Sequence, residues 1–98
     1  MSKTDYVYMI TNKPNGVLYI GVISDLVKRM FQHRQKEIEG FSKKYNLTRL
    51  VWYEVHNDIN EAIIKEKRMK EWQRDWKIKR IEQINPDWKD LWSHINKI

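Results

Sequence analysis

The chain has 98 residues, no cysteine, five Trp and five Tyr, and a formal net charge of +6 from 19 Lys and Arg against 13 Asp and Glu. That length supports one core and leaves no room for a second, so residues 1–98 read as a single unit. The missing cysteines exclude disulfides and thiolate-held zinc, and no apolar run approaches the ~20 residues of a membrane helix. The basic surplus points to a polyanionic partner, although charge governs attraction and solubility rather than fold. Met1-Ser2-Lys3-Thr4-Asp5 lacks the apolar core of a signal peptide, so the expected location is the cytoplasm.

Taken in order, Tyr6-Val7-Tyr8-Met9-Ile10 and Tyr19-Ile20-Gly21 read as two strands of a hairpin. The turn falls at Asn15-Gly16, after Pro14, where fixed and positive φ are needed. A helix follows, opened by Ser24 as the acceptor of its unpaired N–H groups, with Asp25 beside the positive dipole end. Leu26, Val27, Met30 and Phe31 form its apolar stripe, flanked by Arg29 and His33 four residues apart. Its expected end is near Glu39, with Gly40 in the left-handed conformation and Phe41-Ser42-Lys43-Lys44-Tyr45-Asn46 as a basic loop. Leu50-Val51-Trp52-Tyr53-Glu54-Val55 is a third strand, apolar enough to be central or well covered. Asp58-x-x-Glu61 has the spacing of a capping box and starts a helix carrying Ile59, Ala62, Ile63, Glu66 and Met69. Ile78, Ile81 and Ile84 mark another helix, which Asn85-Pro86 ends. Trp88, Leu91 and Trp92 pack back as a short final helix.

The polar residues along these elements form a recognisable set. Tyr6-Val7-Tyr8 and Tyr19-Ile20-Gly21, with ten residues between Tyr8 and Tyr19, then Arg29, His33 and the later helical Glu66, resemble the GIY-YIG nuclease family. The similarity runs from about Asp5 to Leu91 and is greatest with the small stand-alone bacterial branch. Ile20-Gly21-Val22-x-Ser24-Asp25-Leu26 and Asn85-Pro86-x-Trp88-x-Asp90-Leu91 carry that part of it. Ile23 departs from a common Thr, and Tyr6 from the name-giving Gly; neither change removes a reactive group. The resemblance implies a metal-dependent endonuclease that hydrolyses phosphodiester bonds in DNA, with RNA an open alternative. It also implies a Mg²⁺ or Mn²⁺ cofactor and a setting such as DNA repair, where the excision nuclease carries a similar N-terminal domain. The expected fold is α+β, a three-stranded antiparallel sheet flanked by helices in the order β-β-α-β-α-α. Monomer and homodimer both stay open.

Each candidate residue has a functional and a structural reading. Ala62, Ile63 and Met69, one turn either side of Glu66, place its carboxylate in the middle of an apolar stripe. A charge there is costly to desolvate unless paired or metal-bound. It is either an ion pair with Lys70 or, as the resemblance implies, the metal ligand; a lone carboxylate plus waters suits Mg²⁺. Tyr8 and Tyr19 either pack as strand tyrosines or serve catalysis. By resemblance Tyr8 takes a proton from the attacking water and Tyr19 orients. Tyrosine's ordinary pKa of about 10 makes it a poor base unless a nearby cation favours the phenolate. Arg29 clamps the scissile phosphate or is a solvated surface residue. His33 hydrogen-bonds the base tyrosine, or is a structural histidine. Gly21 lets the backbone bend or another group approach closely. Lys43, Lys44, Lys65 and Lys70, with Lys67 and Arg74, hold the flanking nucleic-acid backbone or stand in solvent. Trp72, Trp76, Trp88 and Trp92 read as packing. Two other functions remain open: a nucleic-acid-binding module with little turnover, and a protein-interaction domain docking through the Trp-rich C-terminal face.

Overall fold

The computed structural model describes residues 4–96. Strands β1 (Asp5–Thr11), β2 (Leu18–Ile23) and β3 (Arg49–His56) form one antiparallel sheet in the order β2-β1-β3. The helices are α1 (Leu26–Arg34), α2 (Phe41–Lys44), α3 (Ile59–Glu71), α4 (Arg74–Ile84) and α5 (Trp92–Ile95). The class and the antiparallel sheet are as expected. Against the order β-β-α-β-α-α the structure adds α2, formed where a loop was expected, and α5, the short final helix, which begins at Trp92 and leaves Trp88 outside it. β3 is an edge strand, so its apolar run reflects cover by other segments rather than a central position.

Alternation along β1 divides the interior in two. Val7 and Met9 join Ile20, Val51, Trp52, Ala62, Met69, Ile81 and Trp88 on one face, closed by α3 and α4. Tyr8 and Ile10 join Leu26, Met30, Leu47 and Leu50 on the other, beneath α1 and α5. The register shift between Met9 and Ile10 makes Val51 an extra, bulged residue, which lets both Val51 and Trp52 enter the first cluster.

The free edge of β3 is covered by the C-terminal run noted in the sequence. Leu91 donates its N–H to the Leu50 carbonyl at 2.8 Å, and the Asp90 carboxylate accepts from Leu50 N–H at 3.3 Å. The Asn85 side chain donates to the Val51 carbonyl at 3.0 Å and to the Lys89 carbonyl at 2.9 Å. Pairing these edge groups removes a template for strand addition. It also gives Asn85-Pro86-x-Trp88-x-Asp90-Leu91 a structural role.

The hairpin turn is as expected, and three other local expectations are revised. The positive φ of the hairpin turn falls on Asn15 (58°). Asp25, not Ser24, caps α1, accepting from Lys28 N–H at 3.0 Å. α1 ends at Arg34, short of Glu39, because Lys36 (φ 57°) takes the left-handed position. Lys36 N–H bonds to the His33 carbonyl and Glu37 N–H to the Gln32 carbonyl, both at 3.0 Å, which is a Schellman stop. Gly40 (φ 112°) instead precedes α2. That short helix stops the same way at Asn46 (φ 60°), with Leu47 N–H on the Ser42 carbonyl at 2.8 Å. Of the basic residues, Arg74 is structural: its guanidinium braces the hairpin through the Asn15 and Gly16 carbonyls at 2.7 and 2.6 Å.

Candidate active site

Register brings the first strand residues together. Tyr8 pairs with Gly21 across β1 and β2, and Tyr19 lies on the same face one pair away, opposite Ile10. A Cβ on Gly21 would meet the Tyr8 hydroxyl at 2.6 Å, so the glycine leaves the space the phenol crosses to reach the β2 edge. α1 then presents Arg29 and His33 over that edge, and α3 extends Glu66 to it from the opposite side of the sheet. Tyr8, Tyr19, Arg29, His33 and Glu66 all line one cleft of about 190 Å³. The Tyr8, Tyr19 and His33 rings lie within 6.0–6.4 Å of one another, centroid to centroid.

The hydroxyl of Tyr8 lies 3.3 Å from His33 Nε2, and His33 Nδ1 lies 3.2 Å from Ser42 Oγ. Tyr8, His33 and Ser42 are all buried, so the triplet is shielded from solvent. Burial raises the Tyr8 pKa above its ordinary value, and the Tyr19 and Glu66 charges add to the rise while Arg29 opposes it. Burial also lowers His33 to about 4, helped by Arg29. At neutral pH the pair is therefore a protonated phenol beside a neutral imidazole. The expectation that a cation would favour the phenolate is met only by Arg29, and desolvation outweighs it.

Glu66 is largely buried, with 14% of its side chain exposed, and Lys70 Nζ lies 3.4 Å from its carboxylate. The ion pair foreseen from spacing is thus present, and its acceptor faces the cleft. Lys70 also lies 6.0 Å from the Tyr19 ring centroid. Among the described residues the Arg29 side chain makes no hydrogen bond or ion pair. Lys43 and Lys44 lie on α2 beside the cleft, Lys43 bonded to Glu39 at 2.8 Å. Lys65 is turned to Glu54 on β3 at 3.5 Å and does not line the cleft. Of the tryptophans on the C-terminal face, Trp88 is buried and Trp72 and Trp92 are half-buried; Trp76 alone of the four is strongly exposed.

Sequence reasoning missed Ser42, Glu39 and Phe41, which also line the cleft. All three come from the stretch where α1 was expected to continue or a loop to run. A single serine among lysines carries no signal of its own.

Residues 4–79 match the family described as the GIY-YIG catalytic domain. The chain belongs to this family, whose members are nuclease-type hydrolases. Within it the chain is similar to a UPF0213 protein of Bacillus pumilus, at 26% identity over the full length of both chains. It is also 30% identical to a UPF0213 protein of Staphylococcus saprophyticus, across 80% of this chain and 94% of that one. The solution NMR structure of a UPF0213 protein from Bacillus halodurans shares the fold, with a TM-score of 0.56, 21% identity and coverage of 89% and 92% of the two chains. No helix among the described residues is long and apolar enough to cross a membrane.

Proposed function

We propose that the chain is a divalent-metal-dependent endonuclease that hydrolyses phosphodiester bonds in DNA. The observation that carries this reading is the buried Tyr8–His33 contact of 3.3 Å in the same cleft as Arg29 and Glu66. In the proposed reaction Tyr8 Oη accepts the proton of the attacking water while its own proton passes to His33 Nε2. This transfer requires the tautomer in which His33 Nδ1–H donates to Ser42 Oγ, 3.2 Å away, so that Nε2 keeps its lone pair toward the phenol. Arg29 lowers the basicity of His33 in the free protein. A phosphate dianion-like transition state against Arg29 offsets that field, so the imidazole becomes a better acceptor as negative charge builds on the phosphorus oxygens. The P–O bond to the leaving oxygen then breaks, with Tyr19 holding the reacting group in place. The leaving oxygen takes a proton from solvent, and His33 releases its own to solvent as the site resets.

The donors at the cleft fit a hard cation that retains most of its water. Glu66 would supply one carboxylate ligand, and among the described residues no group of three or more His, Asp or Glu side chains gathers into a closed site. Glu66 would therefore hold Mg²⁺ or Mn²⁺, which supplies charge stabilisation for the leaving oxygen. Its affinity competes with the Lys70 ammonium, which must turn away when the carboxylate takes a metal. In this reading Lys43, Lys44 and Lys70 attract the flanking backbone by screened, salt-dependent contacts. One cleft per chain cuts one strand at a time, so a double-strand break requires two chains or two visits.

The test is cleavage by the purified chain of branched, nicked, single-stranded and duplex DNA, with Mg²⁺, with Mn²⁺ and with chelator. Cleavage that depends on metal and disappears in Glu66→Ala is the expected result. Cleavage that persists in Glu66→Ala overturns the mechanism, and DNA binding without any nicking favours a binding module.

A further inference from the structure

Phe41 lines the cleft and exposes 46% of its surface, and Tyr45 beside it exposes 40%. The segment does not need them for anchoring, because Ser42 and Leu47 are the residues that α2 and its exit bury. One turn apart, their rings lie 4.7 Å from each other, and Phe41 in turn lies 6.4 Å from Tyr19 at an interplanar angle of 29°. Tyr19, Phe41 and Tyr45 thus form a continuous aromatic strip that begins inside the cleft and ends in solvent. Cations accompany it: Lys70 lies 6.0 Å from the Tyr19 ring centroid, Lys44 lies 5.4 Å from that of Tyr45, and Lys43 sits beside it on α2.

Rings alternating with ammonium groups suit a ligand with flat faces spaced between negative charges, which is the chemistry of an unpaired nucleic-acid strand. A duplex cannot use such a strip, because its base faces are covered by their stacked neighbours and only edges and backbone are presented. We propose that Phe41 and Tyr45 stack an unpaired nucleobase next to the phosphate held in the cleft, so that the site selects single strands or unpaired segments. This rests on the nuclease reading of the cleft and adds the class of substrate. The partly exposed rings also lose little packing when changed, so the strip can be altered without dismantling the core.

Binding without turnover separates the two claims. The full-length Glu66→Gln chain, in chelator and at fixed salt, is titrated against a fluorescein-labelled single strand and against the same sequence as a duplex. The single strand should bind more tightly, and Phe41→Ala or Tyr45→Ala should each weaken it roughly 5- to 150-fold while leaving duplex binding unchanged. Phe41→Leu keeps apolar volume against Tyr19 but removes the flat face, and should lose as much as Phe41→Ala, whereas Phe41→Trp should retain binding. A 2-aminopurine base within the strand should be quenched on binding the parent chain and less so on binding Phe41→Ala. Unchanged single-strand affinity in folded Phe41→Ala and Tyr45→Ala chains, or an equal loss on duplex, overturns the proposal and leaves the nuclease reading intact. Failure to bind any nucleic acid overturns both.

Discussion

Tyr8 and Met9 are adjacent on β1 and both are buried, yet they serve opposite ends. Met9 points into the face closed by α3 and α4, where every member of the buried cluster is apolar, aromatic or, in Trp88, an indole bonded to Glu82 at 2.9 Å. Tyr8 points into the face under α1, where a phenol, an imidazole and a hydroxyl are buried together and joined by hydrogen bonds of 3.2–3.3 Å. The first arrangement is what hydrophobic burial selects by itself. The second carries polar groups whose desolvation must be offset by pairing, and it displaces both pKa values toward neutral, uncharged forms. One face is apolar throughout its buried cluster, and the other sets a hydrogen-bonded phenol and imidazole beside its apolar core. Glu66 crosses this division: it belongs to the helix of the closed face and delivers its carboxylate to the open one.

Substitutions that separate stability from activity test the difference between the two faces hardest. Glu66→Ala should reduce cleavage on the order of 10³-fold, and Arg29→Ala about 10²- to 10³-fold, with little change in the urea midpoint. Cleavage kinetics beside unfolding curves check this, and a large loss of stability in either variant would show that these residues serve the fold. On the closed face the pattern should invert. Met69→Ala or Ile81→Ala removes a fully buried side chain and should cost about 2–5 kcal/mol of stability, with the remaining folded protein still active.

Acid should weaken the open face first. His33 is held at about 4 when folded and returns to 6.5 when unfolded, so the unfolded chain binds the extra proton as pH falls through that window. Its contribution to stability is therefore whole above about 6.5 and lost progressively down to about 4. Urea midpoints across that range should fall less steeply in His33→Gln than in the parent chain. Parallel slopes would show that His33 is not held neutral by its surroundings.

How much of this was legible depended on where a residue's signal resides. The hairpin, the three strands and the α3 N-terminus carried local signals: alternating apolar residues, Asn15-Gly16, and Asp58, whose carboxylate accepts from Asn60 N–H at 2.8 Å. The apolar neighbours of Glu66 likewise marked a carboxylate that is in fact largely buried. The end of α1 was hidden because a lysine, Lys36, occupies the left-handed position that glycine normally advertises, and Gly40 drew attention four residues too far on. That displacement concealed α2, and with it Ser42 and Phe41. The apolar run of β3 left a central and a well-covered strand both open, and the non-repetitive C-terminal run along its edge makes it the second. What could not be read locally was the set of contacts made by remote segments.

Ser42 is where the smallest effect is expected and where the proposed proton transfer from Tyr8 to His33 is most directly tested. Two tautomers of His33 are compatible with its contacts. With hydrogen on Nε2, the imidazole donates to Tyr8 and cannot receive its proton. With hydrogen on Nδ1, it donates to Ser42 Oγ at 3.2 Å, and Nε2 is free to accept from the phenol. Only the second supports Tyr8 as a base, and the Ser42 hydroxyl, which can accept from Nδ1–H or donate to a bare Nδ1, is the partner on the far side of the ring. Ser42→Ala should therefore cost no more than about 0.5–1.5 kcal/mol in stability, the net worth of one hydrogen bond. It should nevertheless shift the His33 ring in ¹⁵N spectra from the Nδ1–H toward the Nε2–H form and slow cleavage, while Ser42→Thr restores both. If the nitrogen shifts of the parent chain already report Nε2–H, the serine does not set the tautomer and Tyr8 has no partner to take its proton.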